Sequence, residues 1–275
     1  NVSMPNNPLS RITLSFAYKA WKFLVGTWYR VDTQNRSPYV EIKLSFNGEE
    51  VTFFHPAKTS EDLWRSRRLS GREPEVESVF KPKLGWTVLD IGAHIGYYTI
   101  KASKKVGSDG RVICAEAYSG NYELLLKNLE INSCFNVKAL KKAITNYDGS
   151  TQLFFGSDSG HNTLLEESVF ATTESENVGA VTLDTLFNQQ QIEFVDLAKI
   201  DIEGNELNLL KGANQVLTEG MIHRLVMEVH TPITKNNPVH IYLQDFGYNV
   251  SVIRHRFAGL YPTRHHIYAV KPQKD

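Results

Sequence analysis

The sequence is short of several things, and each shortage narrows what the chain can be. Only two cysteines, Cys114 and Cys134, occur in 275 residues. No second pair accompanies them, which excludes a cysteine zinc site or a disulfide framework and suits a reducing compartment with two inert thiols. An excess of one charge is also missing: 30 Lys and Arg balance 30 Asp and Glu. Nucleic acid is therefore not expected as a partner. No uninterrupted run of about 20 apolar residues occurs, so a transmembrane helix is not expected. The nearest approach is Leu9–Tyr29, LSRITLSFAYKAWKFLVGTWY, broken by Arg11, Lys19 and Lys22. A signal peptide's small-residue cleavage site does not follow it. We read it as a helix packed on the domain or on a partner subunit, which allows a homo-oligomer. The alternative is a peripheral membrane contact through residues 9–29, with Trp21, Phe23 and Trp28 in the headgroups. The expected location is cytoplasmic, at the membrane's cytoplasmic face under that alternative.

What is present is organised. The length suits one large α/β domain with an N-terminal addition, divided as residues 1–82 (helix, β-hairpin and cap segment) and 83–275. In the hairpin, Val40, Ile42, Leu44 and Phe46 alternate with polar residues, Asn47-Gly48 follows, and Val51 and Phe53 alternate again. A two-residue Asn-Gly turn sets Leu44 opposite Val51 and Ile42 opposite Phe53. Arg65, Arg67, Arg68 and Arg72 then cluster. Such clusters are usually solvated, but this one precedes a glycine loop, so Arg68 and Arg72 are candidates for gripping an anionic substrate.

From residue 86 strand and helix patterns alternate. Strands are expected at Thr87–Ile91, Arg111–Ala115, Val137–Ile144, Leu197–Ile202 and His223–Val229. Helices are expected at Tyr97–Val106, over Tyr122, Leu125, Leu126 and Leu129, and over Leu207, Leu210, Ala213 and Leu217. Two last strands, near Tyr248–Ile253 and His266–Val270, should pair antiparallel. The result is an open, mostly parallel sheet with helices on both faces. Residues 146–195 form an insertion longer than a crossover needs, and such insertions shape pockets.

The stretch VLDIGAHIGYY, Val88–Tyr98, lies where such sheets bind ligands. A dinucleotide loop, as in an NAD-dependent dehydrogenase, wants G-x-G-x-x-G, but His94 stands at the middle glycine. A P-loop is excluded because no Gly-Lys-Ser/Thr follows. S-adenosylmethionine carries no phosphate and needs a backbone turn, an acid for its ribose and room for a sulfonium. Glu116, just past the second strand, offers only acceptors and suits both ribose hydroxyls. Asp90 would lie near the methionine portion.

These segments, with VICAEAYSGNYELLLKNLEIN, AITNYDGS, VTLDTLF and VDLAKIDIEGNELNLLKGA, resemble the FkbM-type methyltransferases over roughly residues 72–232. The resemblance implies a class I methyltransferase (Rossmann-like) fold with a seven-stranded sheet and an antiparallel terminal strand. It implies S-adenosyl-L-methionine as cofactor and, for many members, O-methylation of sugars or polyketides. It places Asp90, Gly92, Ala93, Gly96 and Glu116 at the cofactor, with His94 shaping the loop. Ala143, Ile144 and Asn146 are expected near the adenine, and Asp201 facing the transferred methyl. The family usually has proline where this chain has Ala117, so the stiffness of that turn is open. Residues 1–55 lie outside the resemblance.

An alcohol is a poor nucleophile, so a base is expected near the methyl. Candidates are Asp201, Glu203, His230 and His161. A lone Glu203 is as readily a helix-start carboxylate, and a lone rim histidine is common. Asn162 could hold a substrate hydroxyl, and Tyr97, Tyr98, Tyr118, Phe154 and Phe155 could stack on a sugar, though core packing explains most aromatics. Asp201, Glu203, Glu228 and His230 could converge on Mg²⁺, but nothing in their spacing demands it and no metal is assigned. The expected activity is O-methylation of a small-molecule, glycan or glycolipid hydroxyl. N-methylation, polyketide O-methylation and a non-catalytic scaffold are the alternatives.

Overall fold

A computed structural model describes residues 39–46, 48–57, 73–156, 160–165, 174–232, 234, 236–253 and 265–272. The expected helix at residues 9–29, and Arg68 and Arg72, lie outside the described residues.

The hairpin comprises β1 (Tyr39–Phe46) and β2 (Glu49–Pro56), with Leu44 opposite Val51 and Ile42 opposite Phe53 as the turn requires. Gly48 supplies the positive φ of 86°. A short helix, α1 (Pro74–Val79), leads into the main domain. The parallel strands are β3 (Thr87–Ile91), β4 (Arg111–Ala115), β5 (Val137–Leu140), β9 (Leu197–Ile200) and β10 (Arg224–Val229). The last two strands are β11 (Asn249–Ile253) and β12 (His265–Val270). Their order is β11-β12-β10-β9-β3-β4-β5. The final strand thus inserts antiparallel between β10 and β11. Strand order reverses at β3, whose neighbours are β4 and β9. That reversal opens a crevice at the carboxyl ends of β3 and β9.

Because the strands are buried on both faces, successive residues alternate between two apolar clusters. Leu89, Ile113, Ala198, Leu225 and Met227 pack toward one side. Val88, Val112, Cys114, Leu197 and Val226 pack toward the hairpin, α2 (Tyr97–Val106) and α3 (Ser119–Ile131). The inward stripe of α3 differs from expectation. Leu126 is 44% exposed, while Asn121, Leu125, Asn128 and Leu129 are buried. The asparagines face in because they meet backbone. Asn128 accepts from Phe54 N–H at 2.7 Å and donates to Phe54 O and Ile95 O. Asn132 pairs both ways with Thr52. The helix thereby covers an edge strand's hydrogen-bonding groups.

Two further expectations are corrected, and one helix was not expected. The third strand breaks at Lys141-Lys142: β5 ends at Leu140, and β6 (Ala143–Thr145) joins a separate sheet. The insertion supplies the rest of that sheet, β7 (Gly149–Phe154) and β8 (Ser175–Thr182), before α4 (Leu183–Gln190). The helix after β9 is two short ones, α5 (Glu206–Lys211) and α6 (Asn214–Thr218). A further helix, α7 (Pro238–Asp245), joins β10 to β11, its start capped by Asn237. No helix among the described residues is long and apolar enough to cross a membrane.

Candidate active site

The period of two that buries valine or leucine on the hairpin side also sets what emerges at the strand ends. Val88 leads to Asp90, Val112 to Cys114 and Glu116, Leu197 to Lys199 and Asp201, and Val226 to Glu228 and His230. Around the switch point each apolar strand thus leaves the core as a titratable residue.

The β3–α2 turn is held by the protein itself. Gly92 and Ala93 donate backbone N–H groups to Ala115 O at 2.9 and 3.0 Å. Gly92 has φ 79°, and a Cβ there would meet Asp201 O at 1.8 Å; one on Gly96 would meet Leu125 at 2.7 Å. Both glycines are therefore needed by neighbouring protein before any ligand is considered. His94 adopts φ 53°, a left-handed conformation costly for a side chain. Its N–H is fixed by Glu116 Oε2 at 2.8 Å. Glu116 Oε1 accepts Tyr118 N–H at 3.0 Å, and burial pushes the carboxyl up to about 7. Asp90 is 1% exposed; Thr99 donates to its Oδ2 at 2.6 Å, while Oδ1 is buried without a hydrogen-bond partner among the described residues. Burial raises the Asp90 carboxyl above its usual value, against the opposing charge of Lys199.

The β9–α5 turn lies beside it. Asp201 N–H donates to Ile91 O at 2.9 Å, and Lys199 Nζ reaches Asp201 Oδ2 at 3.3 Å. Glu203 and Gly204 follow at φ 51° and 105°. This double left-handed turn brings Asp201, Glu203 and His230 together, with one ligand-type atom of each within 4.8 Å of the others. His230 Nδ1 lies 2.8 Å from Glu206 Oε1, and Nε2 lies 3.2 Å from Glu203 Oε2 and 3.7 Å from Glu228 Oε1. Burial lowers the imidazole's proton affinity, but the carboxylates of Glu203, Glu206 and Glu228 outweigh it and hold the ring well above its ordinary value. A ring holding its proton so firmly has no lone pair to offer, so His230 on its own is not the expected general base.

Other expected residues are placed differently. Tyr97 is 8% exposed and packs edge-on to Phe46 at 5.4 Å and stacked on Phe53 at 6.1 Å, so it belongs to the core and not to a substrate surface. Tyr98 packs there too. Tyr118 meets Phe155 at 5.1 Å, just beyond Glu116. Ala143 packs with Ala117 and Tyr118, the two residues that follow Glu116. Ile144 instead turns into the core, and Asn146 is exposed with its backbone against Gly212, because the strand that was to present them ends at Leu140. Asn162 Oδ1 accepts Gly156 N–H at 3.0 Å, closing its own loop, and His161 is buried on the same segment. The insertion's reach into the site comes through Thr163, whose hydroxyl donates to Glu203 O at 2.8 Å. The helix-start acid is Glu206, not Glu203: its Oε1 accepts Gly204 N–H at 2.8 Å. Sequence reading missed Lys199, Glu206 and Thr163. Glu206 carried a signal, an acid in the first turn of a helix; the other two carried none. Both cysteines are free and buried, and burial raises the Cys114 thiol well above its usual value, as inert thiols require.

Comparison with known proteins bears on this geometry. The family described as "Methyltransferase FkbM domain" matches residues 90–250, more than half of the chain. Methyltransferase sdnD of Sordaria araneosa is 26% identical over 200 residues, 62% of this chain and 76% of that protein. Among solved structures, Aeropyrum pernix fibrillarin with natively bound S-adenosyl-L-methionine is 17% identical, with 86% of each chain covered and a TM-score of 0.49. M. jannaschii TYW2 in complex with AdoMet is 16% identical, covering 85% of this chain and 86% of that one, with a TM-score of 0.43. With the family match added to the strand order and the glycine turn, the chain belongs to the FkbM methyltransferase family and is an S-adenosylmethionine-dependent methyltransferase of the class I fold.

Proposed function

We propose that the enzyme transfers the methyl group to a hydroxyl of a small molecule or glycan, glycolipids included. The observation that carries this reading is the convergence of the Asp201 and Glu203 carboxylates at the end of β9, where the Asp201 backbone abuts Gly92 of the β3–α2 turn. A hydroxyl, unlike an amine, must lose its proton as it attacks, so carboxylates at the acceptor end have a task.

The residues fit the cofactor. Asp90 Oδ1 is a sealed acceptor lacking a donor, suited to an ammonium. Glu116 accepts two backbone N–H groups and a hydrogen bond from the Asn121 side chain, and keeps acceptor capacity for a ribose hydroxyl. Bound there, S-adenosylmethionine supplies a methyl on a sulfonium whose departure leaves a neutral thioether. Asp201 stands nearest the turn and takes the acceptor's proton in our assignment, while Lys199 orients that carboxylate. Glu203 and the ring of His230 line the place where the acceptor oxygen must sit. Alignment of donor and acceptor then supplies much of the rate.

The test is transfer from methyl-labelled S-adenosylmethionine to panels of hydroxyl and amine acceptors, read by mass spectrometry. Label on hydroxyl compounds, lost in Asp201→Asn with cofactor binding retained, is the expected result. Label on amines alone overturns the reading.

A further inference from the structure

We propose that Asp201, Glu203 and His230 bind one divalent cation of the manganese type at the acceptor end of the pocket. Three facts converge on it. First, two carboxylates and one imidazole present ligand atoms within 4.8 Å of one another. The 3.2 Å between His230 Nε2 and Glu203 Oε2 is close to the roughly 3 Å that separates adjacent ligands of an octahedral ion bound at about 2.1 Å. Second, Nε2 is buried and has no aligned hydrogen-bond partner among the described residues. The other ring nitrogen lies 2.8 Å from Glu206 Oε1. A carboxylate on the far nitrogen fixes a ligating imidazole's tautomer, and the cation takes the place of the proton that Nε2 otherwise holds between the carboxylates, that proton leaving to solvent. Third, among the described residues Asp201, Glu203, Glu206 and Glu228 bring four carboxylates to this end, against one lysine, Lys199.

The donor set narrows the ion. Two carboxylates with a single imidazole suit Mn²⁺, which takes oxygen ligands and accepts an imidazole more readily than Mg²⁺ does. Glu73, Glu228 and His266 form a second such group, adjoining the first through Glu228, but Glu228 and His266 are each only 6% exposed and less open to an entering acceptor. The cation's role rests on the O-methylation reading. It would hold the acceptor oxygen, and a neighbouring hydroxyl in a vicinal diol, and weaken the O–H bond. That bond breaks with its proton passing to the Asp201 carboxylate; the oxygen–methyl bond forms as the carbon–sulfur bond breaks.

The test uses the full chain and Mn²⁺ alone. Electron paramagnetic resonance should count one bound Mn²⁺ per chain, and spin-echo modulation on the wild type should show a directly bound imidazole nitrogen. Glu203→Gln and His230→Gln should each weaken Mn²⁺ binding roughly tenfold or more, with His240→Gln unchanged. No binding at millimolar Mn²⁺, binding without nitrogen modulation, or wild-type affinity in both site variants overturns the site. The nitrogen signal is read on wild type, so misfolding of a variant does not decide the matter. Hydroxyl methylation at full rate in a chelator removes the cation's role and leaves the O-methylation reading standing. Bound Mn²⁺ with label on amines alone does the reverse.

Discussion

The β3–α2 turn places Gly92 and His94 in the left-handed region, and the β9–α5 turn does the same with Glu203 and Gly204. In the first, that conformation lets protein close on protein: Gly92 clears the Asp201 carbonyl, and His94 gives its N–H to Glu116. In the second, it gathers charge, bringing Asp201 and Glu203 to His230. One turn is a rigid seat that depends on missing side chains. The other is a reactive edge that depends on side chains present. The two should therefore fail differently.

The largest effect is expected from Gly92→Ala. Its Cβ would fall 1.8 Å from backbone that cannot swing aside, so the variant should lose more than about 4 kcal/mol or fail to fold, as chemical denaturation would show. Asp201→Asn should leave folding and cofactor affinity near wild type and reduce methyl transfer by roughly 10²–10⁴, the usual worth of a general base. If both variants merely unfold, the two turns do not differ as described. Glu116→Ala should weaken S-adenosylhomocysteine binding by roughly tenfold to a hundredfold, the loss of hydrogen bonds to a charged acceptor. Calorimetry of the folded variant reads this directly.

The smallest effect lies in pH. The Glu116 carboxyl is raised by burial to about 7 in the free protein. Its ionised form is the better acceptor for ribose hydroxyls, so cofactor affinity should rise with pH up to about 7 and then level, changing at most about tenfold per unit. For folding the sign is opposite. A carboxyl raised above its unfolded value of 4.5 stabilises the fold in acid, and that contribution is lost as pH rises through about 7. Glu116→Gln should flatten both dependences.

Much of the seat was legible in the sequence, and little of the edge. Thr87–Ile91, Arg111–Ala115 and Tyr97–Val106 could be read because buried strands are apolar throughout and glycines mark where chains approach. Asp90 and Glu116 follow from those strands by counting. The break at Lys141-Lys142 was also written there, since two exposed lysines do not suit a buried strand, and it displaced Ile144 and Asn146 from their expected place. Asn237-Pro238, a cap followed by a helix-starting proline, announced α7 without being read. The grouping of Glu203 with His230 is another matter. It depends on a non-glycine residue turning left-handed and on the parallel register of β9 and β10. Neither leaves a local mark. Thr163 is invisible for the same reason, as its partner Glu203 lies 40 residues away.

The asparagines on α3 carry a practical consequence. The family match begins at residue 90, yet Asn128 and Asn132 inside it act as a third strand toward β2, which lies before it. A fragment cut at the family boundary would lose the hairpin and with it the Thr52 and Phe54 backbone partners of both side-chain amides, on an apolar face. The smallest piece worth expressing is therefore longer than the piece that homology outlines.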